Sequence, residues 1–438
     1  MIRRSILEWQ KIGYGTDDAT IPDAAAARLV AVAKTSAFSG RGGEGVLEHG
    51  RHALRARGIV GVIAASGCQL EILPKIEATG EDGTASPAAL RRRLVHMLAV
   101  AHDLKIDAGA MAQLGWQSDT LLEILIRLFC RQLTDAVRQG MPRRYIQEED
   151  DLSALRGRLD VTRQFSVLAA QPQRLACRFD ALSSDIHLNQ VMKAVVGKLA
   201  RLAQAADNQR NLRELGFVYA DITDVPPAAL HWNSIVLDRT QDRWRALLSL
   251  ARLLLGNRFQ QTSAGASEGH ALLFEMNVLF ETYVTRLVMR AVAGTDLRVS
   301  RQGGQAHCLF DGPTGRFQTR PDIIVRHGDK PVLVIDTKWK RIAARIDDPK
   351  QGVSHSDVYQ LMAYARLYGC DRVMLLYPHH HGMGHGGHSH AYRIAGPEAP
   401  DQLRVSTVDV TAQKTVAIGA VRELLNDSLS GSQLEYLP

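Results

Sequence analysis

Residues 319–341, TRPDIIVRHGDKPVLVIDTKWKR, constrain this chain more than any other stretch. Two apolar runs, IIV and PVLVI, flank His327-Gly328-Asp329-Lys330, and β-branched runs around a Gly-Asp turn predict a β-hairpin. The charges sit at its open end: Asp322 begins the first strand, and Asp336 and Lys338 end the second. Residues two apart on a strand share a face, so Asp336 and Lys338 should point the same way. Two carboxylates meeting there can hold Mg²⁺ through oxygen atoms, leaving positions for water and a phosphate. A lysine beside them can orient the attacking water and offset charge building on the phosphate. The pattern P-D-x13-D-x-K is also met by an ordinary surface hairpin with a solvated end, so the rest of the chain has to decide.

With 438 residues the chain is long enough for two or three domains. No run approaches the 18 apolar residues a membrane span needs, which excludes a transmembrane helix. The start, MIRRSILEWQKIGYG, has no apolar run and no small-residue cleavage site, which argues against a secretory signal. Cys68, Cys130, Cys177, Cys308 and Cys370 stand singly. That is neither a disulfide framework nor a zinc site, and it suits a reducing cytoplasm. The net charge of +7 permits nucleic acid as a partner without requiring it.

The organisation expected is an α+β or α/β multidomain chain in three parts. Residues 1–85 read as a β-rich domain, with IVGVIAA and QLEILPKI as strands joined at Ser66-Gly67-Cys68. A glycine-rich run, 38–50, lacks the spacing of a phosphate loop and reads as a projecting loop. Arg41, Arg51, Arg55 and Arg57 lie in or beside it. The polar segment 79–87 reads as a linker. Residues 86–256 form a helical middle, with apolar residues recurring at three and four. Arg91-Arg92-Arg93 there reads as an exposed helix start, and 143–161 and 174–193 as connections between helices. Residues 257–438 form a mixed sheet flanked by helices: a helix over 270–292, the hairpin, a helix over 356–369 stopped by Gly369, a buried strand over 372–378, strands near 391–395 and 403–410, and a final helix near 411–426. The histidine-rich stretch 379–390 reads as a flexible loop insertion, able to take a metal only adventitiously.

Three residues outside the hairpin have the types to join its site. Glu281, on the helix before it, is a candidate third carboxylate. Gln360 and Tyr364, four apart on the helix after it, share a face and can bond a phosphate or position Lys338.

The order P-D, D-x-K, Q-x-x-x-Y resembles the PD-(D/E)xK nuclease superfamily in its RecB-like branch. The chain over nearly its full length is similar to the McrC family, nuclease subunits of McrBC modification-dependent restriction systems. The similarity is carried by IVGVIAASGCQLEILPKI, LRGRL, CRFDALSSDIHLNQVMK, LLFEMNVLFETYV, TRPDIIV, VIDTKWK and DVYQLMAYA. It implies a C-terminal restriction-endonuclease-like domain in which Asp322 and Asp336 hold Mg²⁺, Glu281 is a candidate third ligand, Lys338 is the catalytic lysine, and Gln360 and Tyr364 complete the site. It also implies a McrB-type AAA+ GTPase partner, which binds the GTP and is engaged and stimulated by the N-terminal part. Double-stranded DNA with modified cytosine is the implied substrate, with self-association through the nuclease domain a further expectation. The alternatives are an activator of an AAA+ ring with little chemistry of its own, or a stand-alone RecB-like repair nuclease. Trp339 departs from the family pattern, in which tyrosine is frequent at that position.

Overall fold

The computed structural model describes all residues except 37, 39–44, 76–85, 105, 107–115, 117–118, 239–240, 257–258, 263–268, 344, 349–351, 384–386, 395–401 and 430–438. The chain opens with β1 (Ile2–Leu7), β2 (Lys11–Gly13) and helix α1 (Asp23–Lys34). Four strands follow, β3 (Leu47–His49), β4 (Ala53–Ala56), β5 (Ile59–Ala65) and β6 (Cys68–Leu73). Helix α1 starts behind Pro22 with Asp23 in its first turn, where a negative charge suits the helix dipole. Its buried face, including Ala26, Leu29 and Ala33, shares a core with Ile63, Leu70 and Ile72 of the sheet. Every residue of β5 is buried, the pattern of a strand covered on both faces.

Helix α2 (Pro87–Ala101) begins with Pro87 in its first turn, and Ser86 caps it by accepting the Ala89 N–H at 3.2 Å. The chain continues through α3 (Leu121–Arg138), β7 (Arg144–Leu152), β8 (Arg158–Leu159), α4 (Val161–Ser166), β9 (Leu175–Ser183), α5 (His187–Ala200), α6 (Ala206–Val218) and α7 (Asp242–Leu255). The two stretches read as connections are thus strands: β7 and β9 pair antiparallel along nine residues, with β8 on the other side of β9. Their sequence signal failed because Tyr145, Gln147, Glu149, Arg178, Asp180 and Leu182 are all exposed. The exposed face carries apolar Tyr145 and Leu182 while the other face of β7 carries Glu148 and Asp150, so the alternation that marks a half-buried strand is missing.

The last part runs β10 (Phe259–Thr262), β11 (Gly269–Glu275), α8 (Met276–Ala291), β12 (Leu297–Arg301), β13 (His307–Asp311), β14 (Thr314–Gln318), β15 (Ile323–His327), β16 (Lys330–Thr337), α9 (His355–Tyr368), β17 (Arg372–Pro378), β18 (Ser389–Arg393), β19 (Gln402–Val408) and α10 (Lys414–Leu429). One sheet has the order β1-β6-β5-β11-β10 and another β12-β15-β16-β17-β19-β18. In the second, β16, β17 and β19 are parallel neighbours and the outer pairings are antiparallel. Ile324, Val334, Val373, Leu375 and Val405 of this sheet pack with Leu361, Tyr364 and Ala365 of α9. Helix α9 is capped by Ser354 and ends at Gly369, whose φ of 55° is the left-handed turn expected of a glycine stop.

The segments 1–85, 86–256 and 257–438 are not three closed bodies. β11, from the last segment, pairs with β5 of the first, and Gly61 is what permits it: a Cβ there would strike the Leu272 carbonyl oxygen. Helix α2, from the middle segment, packs against α8. The chain divides instead into a unit of Met1–Ile106, Gly115–Leu122 and Asn257–Pro438, and a second of Asp107–Leu114 and Glu123–Gly256. Most of the expected linker, 79–87, lies outside the described residues, as does Arg41 in the glycine-rich run.

The histidine-rich stretch is also tighter than expected at its start. His379 is buried and its Nδ1 lies 3.0 Å from Thr407 Oγ1, while buried His380 places Nε2 2.7 Å from the Ile342 carbonyl. Residues 384–386 lie outside the described part. Among the described residues no helix is long and apolar enough to cross a membrane.

Candidate active site

The hairpin of β15 and β16 sets the geometry. Its register pairs Ile323 with Ile335 and Ile324 with Val334, so one step outward Asp322 stands opposite Asp336. Residues directly opposed across an antiparallel pair turn to the same face, and like charges there repel. Asp322 is fixed by Thr337: its Oδ2 accepts both the Thr337 N–H and the Thr337 hydroxyl at 2.8 Å. Asp336 is 2% exposed. Burial, then the Asp322 charge, push its carboxyl up to about 6 from 3.8, against the pull of Lys338.

Lys338 leaves the end of β16 with its N–H donating to Leu376 O at 3.0 Å. Its Nζ is 2.7 Å from Asp336 Oδ2, an ion pair by distance although not a hydrogen bond by angle. Asp357 Oδ1 lies 3.8 Å from the same ammonium. The ammonium also donates to Gln360 Oε1 at 3.4 Å, and Gln360 Nε2 donates to Tyr364 Oη at 2.7 Å. Burial works against the Lys338 charge, but Asp336, Asp357 and Asp322 together outweigh it and raise the lysine above its ordinary value. The lysine is thus held protonated.

Glu281, on α8, is buried and raised by burial, with Asp322 adding to the effect. It is already engaged: Oε1 accepts from Arg301 Nε at 2.8 Å and from Gln302 Nε2 at 3.1 Å. Gln302 adopts a left-handed φ of 46° while its N–H donates to the Asp322 carbonyl at 2.9 Å. One residue therefore ties Glu281 to the Asp322 backbone.

Asp322, Asp336, Lys338, Gln360 and Tyr364 are brought together, and Glu281 borders them through Gln302. Among the described residues no group of three or more His, Cys, Asp or Glu converges as a metal cluster. Thr337, Asp357, Arg301 and Gln302 escaped the sequence reading. Asp357 alone carried a signal, being one helical turn before Gln360 on the same face. Of the N-terminal arginines, Arg55 and Arg57 face Glu48 at 3.9 and 3.5 Å, and Arg55 also donates to Trp9 O. Arg91, expected to be exposed, is buried and paired with Glu71 at 2.7 Å.

A family model described as McrBC 5-methylcytosine restriction system component matches residues 54–378. The chain belongs to the McrBC family. All six candidate residues lie inside the matched span. The fold is similar to a chain of the half-complex from the tetradecameric assembly of Thermococcus gammatolerans McrB AAA+ hexamers with bound McrC. The identity is 22%, the coverage 97% of this chain and 99% of that one, and the TM-score 0.70. A second solved structure, the cryo-EM Thermococcus gammatolerans McrBC complex, matches at 24% identity over 66% of this chain and 88% of that one, with a TM-score of 0.51. No curated protein matches the chain significantly.

Proposed function

We propose that this McrBC-family chain is the DNA-cutting subunit of its restriction system, a Mg²⁺-dependent endonuclease of the PD-(D/E)xK type acting on double-stranded DNA with modified cytosine. The observation that carries the reading is the cross-strand placement of Asp322 opposite Asp336, with Lys338 seated on the second carboxylate.

The donors fit Mg²⁺. Two acidic side chains supply hard oxygen ligands, and a divalent cation held by them would offset the burial and the Asp322 charge that lift Asp336. Asp322 and Asp336 would hold it, and Glu281 would join only by giving up Arg301 and Gln302. A bound ion would polarise a phosphoryl oxygen and make water a better nucleophile. Thr337 keeps Asp322 aimed by taking one of its oxygens with two hydrogen bonds. Lys338, protonated and held by Asp357 and Gln360, offers a positive donor to the phosphate as its charge grows in an in-line attack. Tyr364 fixes the Gln360 amide and so the direction of the lysine.

In the similar half-complex McrC is bound to McrB AAA+ hexamers, and the same kind of AAA+ GTPase is the partner for this chain. GTP is bound and hydrolysed by that partner, and the N-terminal segment is the part assigned to engage it. The test is reconstitution with the cognate GTPase, GTP and Mg²⁺ on methylated and unmethylated plasmid. Double-strand breaks confined to modified DNA support the reading, and undiminished cutting by Asp336→Ala or Lys338→Ala protein refutes the site. Robust cutting of unmodified DNA without the partner would favour a stand-alone nuclease.

A further inference from the structure

Trp339, the departure from the family pattern, has a partner far away in sequence. Its indole N–H donates at 2.7 Å to Oε1 of Glu8, a residue just past β1 that is 1% exposed. The same oxygen accepts the Lys75 N–H at 3.0 Å, and among the described residues buried Glu8 Oε2 has no hydrogen-bonding partner. A buried carboxylate left half-satisfied costs stability, so something other than stability is a reason for its being there. On its other side the indole meets the Phe280 ring at 5.4 Å, next to Glu281. Strand β16 ends at Thr337, and beyond it one further backbone bond to β17 continues the ladder. The Lys338–Trp339 segment is then tethered by the Lys338 N–H to Leu376 O and by the indole to Glu8.

We infer that Glu8 is a positioning residue of the nuclease centre, setting through Trp339 the direction in which Lys338 leaves the end of β16. Glu8 lies outside the span matched by the family model and belongs to the segment assigned to the partner. Its bond places that segment one residue from the lysine. A tyrosine at position 339 would offer a hydroxyl from a different point on its ring in place of the indole N–H, so the pairing is particular to tryptophan. The inference rests on the cleavage reading above.

The experiment compares Trp339→Phe, Glu8→Gln, Glu8→Leu and the double variant Trp339→Phe/Glu8→Leu in the full chain with its GTPase partner. Trp339→Phe keeps the ring against Phe280 and removes only the donor. Cutting of saturating DNA should fall by about ten- to a hundredfold in kcat for Trp339→Phe and Glu8→Leu, the scale on which a small misplacement of a reacting group acts. KM should change little. Glu8→Gln keeps an acceptor and should recover most of the rate, and the double variant should be no worse than the worse single one. Thermal stability should fall in Trp339→Phe, which takes one of two donors from the buried Glu8 Oε1, and recover at least in part in the double variant with no recovery of rate, whereas with a merely structural contact rate and stability would recover together. Wild-type kcat in Trp339→Phe, or a rate that recovers with Tm in the double variant, overturns the inference. Lys338→Ala run alongside separates the two claims. If it is inactive while Trp339→Phe is fully active, only the positioning role fails; if it still cuts, the site itself is wrong.

Discussion

Replacing Asp336 with Asn should make the metal-free protein more stable while ending its chemistry. In the folded chain the Asp336 carboxyl is raised from 3.8 to about 6, first by burial and then by Asp322. Each tenfold in the acid constant is worth ~1.4 kcal/mol, so holding this carboxylate ionised costs about 3 kcal/mol at pH 7.5. The sign follows from the direction: an acid raised on folding binds its proton more tightly in the native state. Its favourable contribution is complete below 3.8 and is lost as pH rises through about 6. Asn carries no charge and escapes that loss. Urea unfolding in a chelating buffer should show Asp336→Asn ahead of wild type by up to about 3 kcal/mol at pH 7.5 and by about half that at pH 5. Adding Mg²⁺ should stabilise wild type and leave the variant nearly unmoved. Equal stability of the two proteins at pH 7.5 without divalent cation, or a gap indifferent to pH, would refute the argument.

Arg91→Leu strands Glu71, which is 1% exposed and also accepts the Leu121 N–H at the start of α3 at 2.9 Å. It should cost about 3–5 kcal/mol in chemical denaturation, with the double variant Glu71→Leu/Arg91→Leu less harmed than Arg91→Leu. Gln360→Ala removes one neutral partner of Lys338 at 3.4 Å, so in the cleavage assay it should slow cutting far less than Lys338→Ala does. Chelation of divalent cations should stop cleavage and Mg²⁺ should restore it, measured as plasmid linearisation; persistence of cutting in excess chelator would remove the metal from the reading.

The hairpin of residues 319–341 was legible because its signals are local: apolar β-branched runs, a Gly-Asp turn, and charges only at one end. The pairing of Asp322 with Asp336 follows from where that turn sits. Helix α9 announced itself through its periodicity and through Gly369, a residue suited to ending helices, whereas its cap Ser354 emerged only from the structure. Pairing between β5 and β11 was not legible: residues 270–275 read as the first turns of the helix over 270–292, because a short apolar run does not separate strand from helix, and the structure makes them strand β11. Arg91 was misread for a related reason. Three consecutive arginines at a helix start look solvated until the sheet supplies Glu71. Glu8 lay beyond local reading altogether, because a lone acid after a short strand has no periodicity or motif to mark it.

The pairing of β5 with β11 also sets an order of events during synthesis. β5 emerges from the ribosome with one edge satisfied by β6, and the partner for its other edge is encoded roughly two hundred residues later. At translation speeds of about 5–20 residues per second the apolar strand waits on the order of ten to forty seconds. All of the second unit is made during that interval, so it can complete its fold while the first is still open. An unpaired buried-type strand is an aggregation hazard for as long as it stays unpaired. Translation speed through residues 123–256, and access of chaperones to β5 meanwhile, should therefore govern the yield of folded protein more than the strength of any single contact in the finished molecule.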